Sequence, residues 1–125
     1  MKVLIVDDEH DVQLLFQQRF RKELKSGQLE FRFAFSGDEA LHELDKPEAA
    51  DLARILSDLN MPGMNGLELL KHIKTNRAGI QFFVMTAYGD EKNFQLAMAG
   101  GADGYFTKPV DFDELRKRIL NERER

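Results

Sequence analysis

The sequence predicts an α/β domain in which helices cover both faces of a five-stranded parallel sheet. Short apolar runs alternate with helix-like segments five times along the 125 residues. The runs are rich in Val, Ile, Leu and Phe, as expected of strands that are buried within such a sheet. The connections between them are short. Right-handed crossovers through the helices therefore favour a single doubly wound sheet.

The first two strands and the helix between them follow from the hydrophobic pattern. Residues 3–6 (VLIV) form a continuous apolar run, which predicts the first strand. Apolar positions recur at helical spacing over residues 11–25, and Ser26-Gly27 is expected to end this helix. Residues 29–35 alternate between apolar and other side chains, with Leu29, Phe31, Phe33 and Phe35 on one face. This pattern predicts an edge strand that is covered on one face only.

The middle of the chain begins with a helix start signal. Ser36 and Glu39 have the spacing of a capping box, so a second helix is predicted from there to residue 44 or 45, before Lys46-Pro47. Residues 54–57 are the third predicted strand, and residues 60–66 form a turn-rich loop. Apolar residues between 67 and 74 then recur at helical spacing and predict a third helix.

The last third of the chain completes the alternation. Residues 80–85 and 103–107 are the fourth and fifth predicted strands, and residues 90–99 are a helix that ends at Gly100-Gly101. Asp111 and Glu114 form a second capping-box pattern that opens the fifth helix. Two strand orders suit such a chain, 2-1-3-4-5 and the six-stranded dinucleotide-binding order. Five strands favour 2-1-3-4-5.

Composition excludes several classes of protein. With 42% hydrophobic and 32% charged residues the chain is typical of a globular domain, and residues 1–125 are expected to form one domain. No stretch approaches the roughly 18 apolar residues of a membrane helix, and no signal peptide precedes the first strand. The absence of cysteine excludes disulfides and thiolate sites, and the net charge of −4 disfavours direct binding of nucleic acid. Cytoplasmic location is the default expectation.

Polar residues stand at the carboxyl ends of four predicted strands. Asp7 and Asp8 follow the first strand, Asp58 the third, Thr86 the fourth and Lys108 the fifth. Parallel strands end at one edge of the sheet, and ligands bind there beside the point where the strand order reverses. The sequence therefore predicts one pocket with three carboxylates, a hydroxyl and an ammonium group.

Charge repulsion in this pocket predicts a divalent cation. Carboxylates about 4 Å apart repel by roughly 4 kcal/mol at an effective dielectric constant near 20, and Lys108 alone cannot neutralise three of them. Ligands that are all oxygen favour a hard cation, and Mg²⁺ suits a few carboxylates together with a phosphoryl oxygen. Asp58 stands alone at its strand end, before a loop containing Pro62 and Gly63. Its carboxylate is thus the candidate nucleophile toward a phosphoryl group.

Four segments, VLIVDDE, ILSDLNMPGMNGLELL, VMTAYGD and GADGYFTKPV, resemble the receiver domains of two-component response regulators. The resemblance covers the whole chain in the right order and implies a CheY-like, flavodoxin-like fold. It further implies that Asp58 accepts a phosphoryl group and that Lys108 contacts it. Asp7 and Asp8 would organise Mg²⁺ with Asp58, and the backbone carbonyl of Asn60 would be a further metal ligand.

The resemblance also implies a switch and its partners. Thr86 would be the switch hydroxyl, Tyr105 the aromatic side chain whose rotamer reports phosphorylation, and the bond from Lys108 to Pro109 would be cis. The phosphoryl donor would be a histidine kinase or a phosphotransfer protein. The face formed by the fourth predicted helix, the fifth strand and the fifth predicted helix would bind an output domain, a target or a second copy. We also hypothesise that the ring of Tyr88 limits the approach of hydrolytic water.

Three other functions compete with this one. A phosphohydrolase of the haloacid dehalogenase type also uses Asp, Thr or Ser, Lys and Mg²⁺, but its nucleophile follows the first strand in a D-x-D pattern, where this chain has Asp-Asp-Glu. A flavin-binding protein would offer hydroxyl groups in the first loop, which here holds three acids. An interaction module with an inactive site is disfavoured because each residue of the pocket is present. We therefore expect a signalling switch whose only chemistry is its own phosphorylation and dephosphorylation.

Overall fold

Five parallel strands form one sheet in the computed structural model, which describes residues 1–120. The strands are β1 (Lys2–Val6), β2 (Glu30–Ala34), β3 (Leu52–Asp58), β4 (Gln81–Thr86) and β5 (Gly104–Thr107). They lie in the order β2-β1-β3-β4-β5 and each pairs in parallel with its neighbours. The predicted order 2-1-3-4-5 is therefore confirmed. The strand order reverses between β1 and β3.

Within residues 1–120, six α-helices flank the sheet, whereas five were predicted. They are α1 (Asp11–Arg19), α2 (Arg21–Ser26), α3 (Gly37–Leu44), α4 (Gly66–Asn76), α5 (Glu91–Ala99) and α6 (Phe112–Leu120), and a short 3₁₀ turn spans Pro47–Ala49. The extra helix arises because the first predicted helix breaks at Phe20, whose backbone leaves the helical region (φ −111°, ψ 24°). The Phe20 side chain is fully buried and packs against Phe16 and Phe31. Gly27 ends α2 in the left-handed conformation, as the Ser26-Gly27 signal predicted.

Each face of the sheet carries its own hydrophobic core. Residues of α3, α4 and α5 pack on one face around Leu4, Ile55 and Val84. Residues of α1 and α6 pack on the other around Ile5 and Leu56. Successive residues of a strand point to opposite faces, so the apolar runs in the interior strands serve both cores.

The prediction that β2 is covered on one face only was wrong. Phe31 and Phe33 contribute to the α1/α6 core as expected, but Ala34 is buried in the α3/α4/α5 core. Arg32, on the same face as Ala34, forms an ion pair with Glu43 of α3 at 2.7 Å. A small residue such as Ala34 and the aliphatic part of an arginine such as Arg32 can be covered by a helix. The alternation of apolar and other residues in β2 therefore did not mean that its second face is exposed to solvent.

The helix starts were predicted only in part. The Ser36 hydroxyl accepts a hydrogen bond from the Glu39 N–H at 3.1 Å, but the Glu39 carboxylate accepts from the N–H of Phe35. At α6 the Asp111 carboxylate accepts from the N–H groups of residues 113 and 114. A complete capping box lies at α4, where Asn65 and Glu68 exchange hydrogen bonds of 3.0 and 3.1 Å. It directs the chain from the end of β3 into α4.

Candidate functional site

The predicted polar strand ends meet at one edge of the sheet. Asp7 and Asp8 follow β1, Asp58 is the last residue of β3, and Lys108 follows β5. Each of the three carboxylates offers an oxygen within 4.8 Å of the others. The site therefore lies beside the point where the strand order reverses, between β1 and β3.

Lys108 lies over two of the three carboxylates. Its Nζ is 2.8 Å from Asp58 Oδ2 and 3.4 Å from Asp7 Oδ2. Burial acts to lower the pKa of the ammonium group, but the hydrogen bond from Lys108 to Asp58 and the two negative charges outweigh it and raise that pKa. The side chain is therefore a fixed positive charge at neutral pH. Its backbone N–H donates to the carbonyl of Thr86 at 2.8 Å, and the Lys108–Pro109 bond is cis, as expected.

The two acids after β1 differ in environment. Asp7 is only 3% exposed, and its Oδ1 accepts a hydrogen bond from the Glu9 N–H at 2.9 Å. Burial raises the pKa of Asp7, although that hydrogen bond and the charge of Lys108 act in the opposite direction. Asp8 is half-buried and therefore more accessible to solvent and to an ion. Asp7 thus carries an electrostatic cost that a second cation would relieve.

The carboxylate cluster fits a divalent cation. Asp7, Asp8 and Asp58 bring three negative charges together. Lys108 is the cation paired with two of these acids, which leaves an excess of two negative charges at neutral pH. Oxygen ligands and an uncompensated charge of this size suit a hard divalent ion.

A close backbone approach fixes the loop that carries Asp58. The Gly66 N–H donates to the carbonyl of Leu59 at 3.0 Å, and a Cβ built on Gly66 would lie 2.4 Å from the Asp58 carbonyl oxygen. Only glycine allows this approach. Within the loop, the Asn60 N–H donates to Asp58 Oδ1 at 3.2 Å. Both oxygens of the Asp58 carboxylate therefore accept a hydrogen bond, Oδ1 from the Asn60 N–H and Oδ2 from the Lys108 ammonium group.

The two predicted switch residues lie on neighbouring strands. Thr86 ends β4, next to the residue that pairs with Asp58, and it is buried. Tyr105 on β5 is 43% exposed, and its ring packs edge-on against Phe94 of α5 at 4.6 Å between centroids. A cavity of about 210 Å³ is lined by both switch residues, by Phe94 and by Tyr88, which is 90% exposed.

Sequence reasoning did not find two polar side chains beside the site. Asp90 accepts hydrogen bonds from the amide of Asn60 at 3.3 Å and from the amide of Asn93 at 2.9 Å. Both hydrogen bonds lower the pKa of Asp90, and the one from Asn93 has the larger effect. The available signal was an acid directly before a helix, which marks Asp90 as an N-cap but does not reveal its contact with Asn60.

His10 is not part of the carboxylate cluster formed by Asp7, Asp8 and Asp58 among the described residues. Its ring stacks on Phe35 at 3.8 Å between centroids and within 6° of parallel. His10 thus packs against the end of β2.

Comparisons with known proteins agree with this geometry. The chain is 39% identical to sporulation initiation phosphotransferase F of Bacillus subtilis over 94% of this chain and 90% of that protein. It is 32% identical to the response regulator PhoP of Pseudomonas aeruginosa, of which it spans half the length. A CheY-like receiver domain from Methanospirillum hungatei superposes with a TM-score of 0.81 at 28% identity, over 94% of this chain and 89% of that one.

The family comparison covers nearly all of the described chain. The sequence model for the response regulator receiver domain matches residues 3–120. Members of this family act in two-component signalling, with histidine kinases or phosphotransfer proteins as partners. The chain belongs to the response regulator receiver domain family.

Proposed function

We propose that residues 1–125 form a receiver domain that works as a phosphoryl-accepting switch, with Asp58 as the acceptor. One observation carries this proposal: the Asp58 carboxylate lies at the end of β3, 2.8 Å from the Lys108 ammonium and within 4.8 Å of the acidic pair. Such a carboxylate is held in place, faces a cation and belongs to a cluster suited to a divalent ion. These are the requirements for phosphoryl transfer to an aspartate.

The phosphoryl donor is the phosphohistidine of a kinase or a phosphotransfer protein. An Asp58 oxygen forms a bond to phosphorus while the phosphorus–nitrogen bond breaks and its electron pair returns to the imidazole. Lys108 contacts the transferred group and offsets its negative charge. Asp7, Asp8, Asp58 and the Asn60 carbonyl would hold Mg²⁺, which supplies positive charge to the phosphoryl oxygens when bound. On this proposal the chain is a signalling domain whose only chemistry is its own phosphorylation and dephosphorylation.

Thr86 and Tyr105 pass the change on to a binding surface. The added phosphoryl charge attracts the Thr86 hydroxyl, and the Tyr105 ring turns into the space that Thr86 leaves. The half-exposed ring of Tyr105 and the cavity that it shares with Thr86 support this movement. The surface formed by α5, β5 and α6 then changes its affinity for an output domain, a target or a second copy. This is a population shift driven by a local charge.

Phosphorylation can be tested by intact-mass measurement. The protein is incubated with Mg²⁺ and acetyl phosphate, and a mass gain of one phosphoryl group is expected. Asp58→Asn should abolish the gain. Asp11→Asn, which neutralises an exposed acid of α1, should retain it. A mass gain that survives in Asp58→Asn would contradict the proposal, and steady hydrolysis of many phosphate esters would favour a hydrolase instead.

Tyr88 provides a test of the phosphoryl lifetime. Its exposed ring lines the cavity next to Thr86, and we propose that it limits the access of water to phosphorylated Asp58. Tyr88→Ala should therefore lose its phosphoryl group faster than the wild type in the same mass assay. An unchanged or slower loss would contradict this role of the ring.

A further inference from the structure

Three polar side chains form a small hydrogen-bonded cluster at the rim of the site. Asn60 Nδ2 donates to Asp90 Oδ2 at 3.3 Å, and Asn93 Nδ2 donates to the same oxygen at 2.9 Å. Asn93 Nδ2 also lies 3.5 Å from Asn60 Oδ1. Both polar ends of the Asn60 carboxamide are thus engaged by residues at the start of α5. The cluster joins the loop after β3 to the loop after β4.

Asn60 is the residue of this cluster that also contacts the acceptor. Its backbone N–H donates to Asp58 Oδ1 at 3.2 Å, so its Cα is fixed next to the carboxylate that receives the phosphoryl group. The residue is exposed, so side-chain rotation is open to it. The Asn60 carboxamide can thus adopt two positions. In one it contacts Asp90 and Asn93, and in the other it points toward Asp58.

The position toward Asp58 would favour hydrolysis. In that reaction a water oxygen forms a bond to phosphorus, the bond from phosphorus to the Asp58 oxygen breaks, and the carboxylate keeps the electron pair. Both water protons end on the released inorganic phosphate. A carboxamide offers a donor and an acceptor together, so it can hold the water in line for attack.

We propose that Asp90 and Asn93 are positioning residues that hold the Asn60 carboxamide away from Asp58 and thereby prolong the lifetime of the acyl phosphate. The inference rests on the proposed phosphorylation of Asp58. Asp90 is a charged acceptor, and hydrogen bonds to ionised acceptors are stronger than those between neutral groups. The Asn93 side chain donates a hydrogen bond to the Asp90 carboxylate, which holds it in place, and also contacts the carboxamide oxygen of Asn60. Because the bonds from Asn60 are long and partly open to solvent, their loss should change the lifetime by roughly two- to tenfold.

Two variants separate this role from a structural one. Asn93→Ala removes one amide from the cluster and leaves the Asp90 cap of α5 intact. Asp90→Ser keeps an oxygen that can cap the helix, but its shorter, neutral side chain does not reach Asn60. Glu91→Ala is the matched control, since it removes one negative charge of the same helix turn from a side chain that pairs with Gln95. Thermal unfolding monitors the fold of each variant, and Asn93→Ala carries the test alone if Asp90→Ser fails to fold.

The experiment measures the loss of the phosphoryl mass after acetyl phosphate is removed. We expect a two- to tenfold faster loss in Asn93→Ala and Asp90→Ser, and an unchanged rate in Glu91→Ala. The decisive readout is a double-mutant cycle with Asn60→Ala, in which the acceleration should disappear. A slower or unchanged loss in the single variants overturns the inference. So does an acceleration that persists without the Asn60 carboxamide, because the effect would then not act through that group.

The same data separate this inference from the proposed function. If the wild type gains no phosphoryl mass, the phosphoacceptor proposal fails and the inference fails with it. If the wild type gains one phosphoryl group on Asp58 but the cycle shows no coupling to Asn60, only the role of Asp90 and Asn93 is overturned.

Discussion

Neutralising Asp7 should stabilise the metal-free protein. Two carboxylates with oxygens up to 4.8 Å from Asp7 each repel it by about 3.5 kcal/mol at an effective dielectric constant of about 20. Lys108, 3.4 Å away, attracts it by about 5 kcal/mol on the same scale. The net repulsion of about 2 kcal/mol acts in the same direction as burial, which raises the pKa of Asp7. Asp7→Asn should therefore increase the free energy of unfolding by about 2 kcal/mol.

Thermal unfolding by circular dichroism, in EDTA and in Mg²⁺, measures this effect. For 125 residues, 1 kcal/mol corresponds to about 4 °C in Tm, so Asp7→Asn should unfold about 8 °C above the wild type in EDTA. Mg²⁺ should reverse the difference, because an ion at 100 times its Kd stabilises the wild type by about 2.7 kcal/mol. Asp11→Asn, an exposed neutralisation outside the cluster, should stay within about 0.5 kcal/mol of the wild type.

The pH dependence in EDTA provides a second check. Since the pKa of Asp7 is raised from 3.8 in the folded protein, the native state binds this proton more tightly than the unfolded state. The destabilisation caused by ionised Asp7 is therefore absent below about pH 3.8, where the carboxyl group is protonated in both states. It reaches its full size above the raised pKa of the folded protein. The advantage of Asp7→Asn should shrink as the pH falls through that window. The electrostatic reasoning would be refuted if Asp7→Asn had a lower Tm than the wild type in EDTA, or if Mg²⁺ did not change the Tm of the wild type.

Two further substitutions test contacts within the fold, one beside Asp58 and one between α6 and α2. Gly66→Ala places a Cβ 2.4 Å from a backbone oxygen and should destabilise the protein by about 1–3 kcal/mol in urea unfolding. Gly79→Ala, where a Cβ meets nothing within 4 Å, should change stability little, and equal effects of the two would contradict the steric argument. Arg116→Ala should cost about 2 kcal/mol, because it leaves the half-buried Glu23 carboxylate without its 2.9 Å partner. Lys117→Ala on the same helix is exposed and serves as the control; an Arg116→Ala variant as stable as this one would refute the role of the ion pair.

The Arg116 prediction follows from a contact that joins distant parts of the chain. Arg116 donates to the Glu23 carboxylate and to the carbonyl of Arg19, beside the break between α1 and α2, and its guanidinium lies over the ring of Phe20. Glu23 Oε1 is buried and has no partner among the described residues. Arg116 therefore links α6 to α1 and α2 and is not a free charge on the surface of α6.

The strand ends were predictable because the signals are local and physical. Apolar runs stop at a charged residue, as at Asp7 and Asp58. Parallel connectivity then brings the carboxyl ends of all strands to one edge. The order of the strands followed from their number and from the crossover rule. The Asn65–Glu68 capping box has an equally local signature, three residues apart, and could have been predicted from it.

The same local pattern was insufficient where packing decided the outcome. Helical periodicity continues through Phe20, yet the helix breaks there as its ring packs into the aromatic cluster and Arg116 binds the adjacent carbonyl. The alternation in β2 suggested an open face, and α3 covers it through Ala34 and the Arg32–Glu43 pair. Tertiary contacts of this kind override weak local preferences.

The sequence by itself determined the sheet, the position of the site and the residue types gathered there. Only the tertiary structure decided that Asn60 contacts Asp90 and Asn93, thirty or more positions away along the chain. It also decided that Lys108 lies closer to Asp58 than to Asp7. Periodicity and capping arise from neighbours within a few residues, so they can be read in order along the chain. Hydrogen bonds between loops depend on how whole elements pack, and no local pattern records that geometry.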